Sequence, residues 1–452
     1  MRKGMIYLVM LLVVASLVFA EPGTAPQNRL NANSFSALVS GNALSPMVTE
    51  TGKLSLSIDG LGITGSSGIV QVEKPAGATV KAAYLASATT GFSGATLVNG
   101  DIKLEGSGAS WSASVPSSIL SNNYWADVTS IIKPVVDAAP AGRVNINLQE
   151  VKPTSSVDGS VLAVIFDDPS QLHDNTIILF FGAQNVAGDT FNIGLSDPID
   201  TSKPGFALDF SLGISFGFQP AGQYSRVDVN SQRLTTSAGG QDDGADANGA
   251  LVTVGGLDDS NVNPANPFAT DSGGPRYDDE LYSLVPFVKN GESGITVFTQ
   301  NPSSDDNIFF AALFLGATAA ISGEGIVLGP TDAVNPLNTE HTVTATVQDT
   351  TGAPIVGETV TFEIVEGPNA GITDTDVTDS EGKATFTYSS SSEGTDVIVA
   401  SYENSQEKKI SSNRVTKQWI DEPSNDVPEF SAIGAGIALA GAAGYTLFRR
   451  KK

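Results

Sequence analysis

The 452-residue sequence contains no cysteine, which removes disulfide frameworks, zinc ribbons, iron–sulfur clusters and thiol nucleophiles together. It has two histidines, too few for an ordinary His-ligated metal centre, and three tryptophans. Charge is scarce, at 16% of residues, and one-sided: 24 basic against 49 acidic residues give a net charge of −25. A nucleic-acid partner held by phosphate neutralisation is therefore excluded. No Walker-type phosphate loop, HExxH or GxSxG occurs. The one Asn-x-Ser/Thr match, Asn301-Pro302-Ser303, is blocked by its proline, so Asn-linked glycosylation is not expected. With 47 Gly, 23 Pro and 40% hydrophobic residues, the chain is too Gly-poor for collagen and too apolar for a disordered tail. Its length allows roughly two to four domains.

What is present begins with the two ends. Residues 1–20 carry the three parts of a secretory signal: the cations Arg2 and Lys3, a 14-residue apolar run over 5–18, and the small Ala20 before Glu21-Pro22. A run this short falls below the ~20 residues that span a bilayer. Residues 431–448 form 18 residues without a charge, followed by Arg449, Arg450, Lys451 and Lys452. As a helix this segment is about 27 Å long, near the ~30 Å hydrocarbon core, with the cations as a cytoplasmic stop. The bulk of the chain is thus expected outside the cell membrane. Without the terminal cations and Glu429, that bulk has a net charge of −30, which keeps it soluble and attracts divalent cations.

Between the ends the pattern is β. Leu54-Ser55-Leu56-Ser57-Ile58 alternates strictly, as do the runs 342–347 and 384–388. The runs 161–166 and 177–181 are wholly apolar, as strands buried on both faces require. Asn-Gly pairs at 99–100 and 290–291 are hairpin-type turn signals. Only 128–139 has a helical pattern, and Pro134 interrupts it. The fold class is all-β: a large β-sandwich head at 45–322, one sandwich or two with a seam near 152–158, and a second sandwich at 326–419. A loose leader occupies 21–44 and a spacer 420–430.

Two resemblances sharpen this outline. The strand at 341–347, Asp349-x-x-Gly352-x-Pro354-x-x-Gly357, Val360-x-Phe362, Gly367-Pro368-Asn369-Ala370-Gly371, Thr378-Asp379-x-x-Gly382-Lys383-Ala384-x-Phe386 and Gly394-Thr395-Asp396 resemble the bacterial Ig-like domain, group 1, of invasin-type surface proteins. That implies a stalk or spacer module without catalytic residues. Val427-Pro428-Glu429-Phe430, followed by the apolar segment and basic cluster, resembles the carboxy-terminal sorting signals of archaeal surface proteins. The resemblance implies that Pro428, Glu429 and Phe430 are read by an archaeosortase, a membrane transpeptidase. Otherwise the helix is a permanent anchor. Segments 276–282 and 301–309 resemble a stretch found ahead of such Ig-like repeats, with no assigned activity.

Three site readings remain. Thr270-Asp271-Ser272-Gly273-Gly274-Pro275 comes within one residue of the nucleophile motif of chymotrypsin-like proteases, with His173 upstream, but His173 lacks that family's Ala-Ala-His setting. Acidic clusters supply oxygens suited to Ca²⁺, which takes about six to eight: Asp242, Asp243, Asp246 and Asn248, then Asp278 and Asp279, then Asp305 and Asp306. The first cluster does not fit an EF-hand loop. Asp167-Asp168 and Asp258-Asp259 are further pairs, and solvated acidic turns are the plain alternative. Glycoside hydrolysis needs two carboxylates roughly 5–9.5 Å apart, and Trp111 and Trp125 are expected in core or rim rather than in a sugar cleft. No catalytic residue is assigned. The expectation is a cell-surface structural or adhesin-like protein, with no cofactor beyond structural Ca²⁺ and an unidentified surface ligand. An anchored extracellular hydrolase is the alternative.

Overall fold

Apolar residues on both faces of a strand force a sheet to be covered twice, and the head is built on that requirement. The computed structural model describes residues 43–62, 66–152, 156–215, 225–238, 252–269, 280–304 and 306–421. Both expected terminal segments, 1–20 and 431–448, lie outside them, as do Pro428, Glu429, Phe430, Arg449, Arg450, Lys451 and Lys452. Among the described residues, no helix is long and apolar enough to cross a membrane.

Four sheets stack in the head. The first outer sheet runs Ser67–Lys74, Gly142–Glu150, Ile102–Leu104, Ser107–Gly108. The first inner sheet runs Leu54–Leu61, Val157–Asp167, Thr79–Thr89, Asn122–Asp127, Ala113–Pro116. The second inner sheet runs Ser45–Gly52, Asn175–Phe181, Asn307–Leu315, Leu208–Ser215, Val252–Val254, with Leu281–Ser283 also on Leu208–Ser215. The second outer sheet runs Gln232–Ala238, Ser225–Val229, Gly294–Gln300, Asp189–Leu195, Ala320–Ser322. One core, with Val72, Leu85, Ile146 and Leu162, fills the first sandwich; another, with Phe180, Phe191, Phe210 and Val297, fills the second. A third core joins the two inner sheets through Ala86, Trp125, Val161, Ile165, Leu179 and Phe310.

The wholly apolar runs therefore lie where the pattern required. Every residue of Asn175–Phe181 is buried, and Val157–Asp167 is exposed only at Asp167. Outer strands alternate, as Gly142–Glu150 does, because one face meets water. The inner sheets approach closely where side chains are small. A Cβ on Gly159 would meet Leu61 O at 2.5 Å and Val252 Cγ2 at 2.7 Å.

Three details differ from the sequence reading. The chain passes between the sandwiches at 168–174, downstream of 152–158, because Val157–Asp167 is a central strand of the first inner sheet. Asn99-Gly100 and Asn290-Gly291 are turns with glycine at φ 86° and 91°, yet neither joins two paired strands. The helix continues through Pro134, spanning Thr129–Ala138. Pro134 and Ser130 face solvent, so water satisfies the carbonyl that proline leaves unpaired. Lys74 Nζ donates to the carbonyls of Asp137 (2.9 Å) and Ala139 (2.8 Å) at the helix end.

After Ser322 the chain enters a further, smaller sandwich. A three-stranded sheet (Gly325–Gly329, His341–Gln348, Lys383–Tyr388) faces a six-stranded one containing Thr359–Glu366, Gly394–Glu403 and Val415–Ile420. Their core holds Val343, Phe362, Phe386, Ile398 and Trp419. With no disulfide available, buried Asp396 pins the layers. It accepts hydrogen bonds from Trp419 Nε1 (2.8 Å), Tyr388 OH (3.1 Å), and the Asn369 backbone N (2.9 Å) and Nδ2 (2.7 Å).

Leu179 lies between the inner sheets and Ile69 on an outer face, 48% exposed. In urea unfolding, Leu179→Ala is expected to cost about 2–5 kcal/mol and Ile69→Ala under ~1 kcal/mol. Equal losses would contradict the four-layer arrangement.

Candidate functional site

For a chain read as a head on a stalk, the working geometry is the joint between them. Only Gly323 and Glu324 separate Ala320–Ser322 of the head from Gly325–Gly329 of the Ig-like sandwich. So short a connection leaves the two bodies in contact, and polar side chains bridge them. Gln348 Nε2 donates to Gly323 O (2.9 Å), and Asn192 Nδ2 of the head donates to Thr351 O (2.9 Å). The Thr331 backbone N donates to Asp197 Oδ2 (3.3 Å), and Lys203 Nζ lies 3.7 Å from Asp332 Oδ1. Asn404 Nδ2 reaches back to Glu324 Oε2 (3.2 Å).

Glycine makes this approach possible. Gly352 has φ +82°, and a Cβ there would sit 2.6 Å from Asn192 Cβ. A Cβ on Gly329 would sit 2.3 Å from Ser196 O. Gly352 belongs to the Asp349-x-x-Gly352 turn, which Asp349 Oδ1 holds by accepting from Thr351 N (2.8 Å) and Ala353 N (3.0 Å). The turn residue of the Ig-like motif is thus also a contact to the head.

Crevices flank the joint. One of about 330 Å³ is lined by Asp197, Asp200, Lys203, Phe206, Pro330 and Asp332. Nearby, burial raises the Asp174 carboxyl pKa above its ordinary value, while Lys53, His173 and Lys203 pull it back down and Asp332 pushes it up. The second crevice, of about 310 Å³, is lined by Glu50, Ser322, Glu324, Ile326, Ser412 and Asn413 among others. Among the described residues, no three His, Cys, Asp or Glu side chains converge to hold a metal.

The sequence-derived candidates fall unevenly on this frame. Asp242, Asp243, Asp246, Asn248, Asp278, Asp279 and Asp305 lie outside the described residues, as does Ser272. Asp306 is buried where the second sandwich ends. Its Oδ2 accepts from Ser225 Oγ (3.0 Å), and its backbone carbonyl accepts from Asn301 Nδ2 (2.8 Å). Asp168 accepts from Ser170 N and Oγ and from Gln171 Nε2, closing the turn at 168–171, two residues ahead of His173. Asp258 forms a bidentate pair with Arg143 (2.6 and 2.7 Å), which holds its carboxyl below the usual range. Trp125 is core, and Trp111 packs against the first core with Nε1 donating to Val98 O. A cleft of about 300 Å³ between the sandwiches is lined by Ser57, Asp209, Ser211, Leu257 and Leu281 among others. Asp209 is the one carboxylate among its described lining residues. The joint contacts of Asn192 and Gln348 were missed, since isolated amides on alternating strands carry no motif.

Residues 330–416 match the family described as Bacterial Ig-like domain (group 1). This part of the chain is such a domain, within the 326–419 unit drawn from the motifs. No curated protein matches the chain. Among solved structures, the D0-D1 domain of intimin is similar at 13% identity and TM-score 0.19, covering 54% of this chain and 90% of that one. A putative membrane anchored protein from Corynebacterium diphtheriae is similar at 13% identity and TM-score 0.19, covering 57% and 56%. Escherichia coli alpha-2-macroglobulin activated by porcine elastase gives 10% identity and TM-score 0.18, covering 82% of this chain and 35% of that one. At such TM-scores these likenesses carry no argument.

Gly352 and Gly357 both have positive φ (+82° and +80°), but a Cβ on Gly357 meets nothing within 4 Å. Alanine at either position bears the left-handed strain of about 1–2 kcal/mol; only Gly352→Ala adds the clash with Asn192. Thermal unfolding should show Gly352→Ala as the more destabilised, by roughly 1 kcal/mol or more. Indistinguishable variants would mean that the joint is not packed as described.

Proposed function

We propose that this is a surface-anchored structural or adhesin-like protein, in which the Ig-like domain holds a non-catalytic β-sandwich head clear of the membrane. The observation that carries the reading is the Ig-like group 1 domain at 330–416 docked on the head across a two-residue connection. A docked joint transmits position from anchor to head, which a stalk needs and a reactive site does not.

Anchoring rests on the sequence: the apolar 431–448 segment, the terminal cations Arg449 to Lys452, and Pro428-Glu429-Phe430 as the sorting signal of an archaeosortase-type enzyme. The residue 1–20 signal supplies export. The ligand is a polymer, a neighbouring cell or an envelope component met by the head. A chain with net charge −25 repels anionic polymers, so the reading favours neutral or cationic partners. The acidic clusters around Asp242, Asp278 and Asp305 are read as the places where divalent cations collect at the head.

Intact cells expressing the full-length chain should expose the head to externally added protease, with the chain recovered in the membrane or envelope fraction. Recovery of the unprocessed chain from cytosol, protected in intact cells, would overturn the reading.

A further inference from the structure

The two faces of the strand Leu208–Ser215 differ in character. Leu208, Phe210, Leu212 and Ile214 fill the second core. By the pleat, Asp209, Ser211 and Gly213 face the first sandwich, where a Cβ on Gly213 would meet Val161 Cγ2 at 3.3 Å. Side chains this small or polar do not fill the space opposite Leu56 and Ile58. The core between the inner sheets therefore gives way at this edge to the cleft of about 300 Å³. That volume is at the lower end for ligand sites, room for one side chain or a small molecule.

A braced wall closes the cleft. Gly255 N donates to Leu212 O (3.0 Å) and Leu257 N to Ile58 O (2.9 Å), so the 255–257 segment bridges the two inner sheets. Glycine is needed there: a Cβ on Gly255 would sit 2.2 Å from Glu280 O, and one on Gly256 2.3 Å from Ile58 O. Asp258, next in the chain, is locked to Arg143 of the first outer sheet. A cleft held in this way is preorganised, which lowers the cost of binding.

Among apolar walls of Leu56, Leu257, Leu281 and Phe314 stands the carboxylate of Asp209, with Phe314 beside it in register. Asn261 Nδ2 donates to its Oδ1 (2.9 Å), and among the described residues no other donor reaches it. Burial raises the Asp209 pKa above its ordinary value, and the Asn261 bond pulls it part of the way back. None of the described lining residues is basic. A half-buried carboxylate without a countercharge is costly, and a cation with an apolar stem relieves it while covering the walls. With one oxygen already taken by Asn261, the site suits a compact ammonium better than a guanidinium, which pairs through two oxygens. We infer that this cleft takes a primary ammonium group on an unbranched apolar stem, as a lysine side chain or an alkyl diamine presents, with Asp209 as its counter-ion. The cationic partners of the head are thereby narrowed to one chemical group. Exposure of the head to such a partner rests on the surface reading, but binding in solution does not, so either can fail alone.

The test is NMR titration of the full-length protein in detergent, at neutral pH and in about 0.15 M salt to screen diffuse attraction to an acidic chain. The probes are Nα-acetyl-lysine methylamide, its uncharged norleucine counterpart, and cadaverine. The lysine probe should bind with a millimolar Kd, and the norleucine probe about tenfold or more weakly, since it lacks the charge-assisted hydrogen bond. Asp209→Asn should weaken the lysine probe by a similar factor, whereas Asp200→Asn, at the crevice beside the joint, should leave it unchanged. If Asp209→Asn fails to fold, the wild type still locates the site, through methyl shifts centred on Leu56, Leu257 and Leu281. Cadaverine binding as well as the lysine probe would assign a free amine, and cadaverine binding more weakly a lysine borne by a protein; both support the inference. It is overturned if no probe binds, if norleucine binds as well as lysine, if Asp209→Asn keeps full affinity, or if the shifts centre elsewhere.

Discussion

The inner sheets of the head are covered on both faces, and the rest of the architecture follows from that. A strand such as Asn175–Phe181 has no solvent side, so every position along it must be apolar or hydrogen-bonded. Each inner sheet then needs two partners. The sister inner sheet supplies one, and an outer sheet with a wet face supplies the other. The result is two sandwiches fused along a third core, in place of two domains joined by a linker. Without cysteine, packing and buried polar pins such as Asp396 do the work that cross-links do in many secreted sandwiches.

The same economy governs the joint with the Ig-like domain. Two residues cannot form a flexible tether, so the bodies must touch. They touch through amides and glycines: Asn192 against Gly352, Gln348 against Gly323 and Gly194. A turn that a free Ig-like module needs for its own chain reversal is used a second time as a docking surface. This double use links local backbone geometry to the stalk role proposed for the protein.

Legibility in the sequence tracks locality. The runs 161–166 and 177–181 announced their double burial because five or six consecutive apolar residues between turn signals fit a strand buried on both faces. The Ig-like unit was legible because its turn residues recur at fixed spacing. Long-range pairing was not. Ser45–Gly52 joins the second inner sheet beside Asn175–Phe181, while the adjoining Leu54–Leu61 joins the first, and no local signal announces that divergence. Pro134 read as a break because an interior proline removes one helix hydrogen bond, yet it and Ser130, whose carbonyl loses that bond, both lie on the exposed stripe of the helix. Of the candidate residues, the acidic clusters were conspicuous by density, whereas Asn192 and Gln348 at the joint carry no local signal.

Native-state hydrogen exchange of the full-length protein tests the fused head most directly. Amides of Val157–Asp167, Asn175–Phe181 and Asn307–Leu315 should share the slowest exchange and lose protection together as denaturant rises, since one core spans both sandwiches. If Val157–Asp167 opened at clearly lower denaturant than Asn307–Leu315, the sandwiches would be separate units and the account would be contradicted.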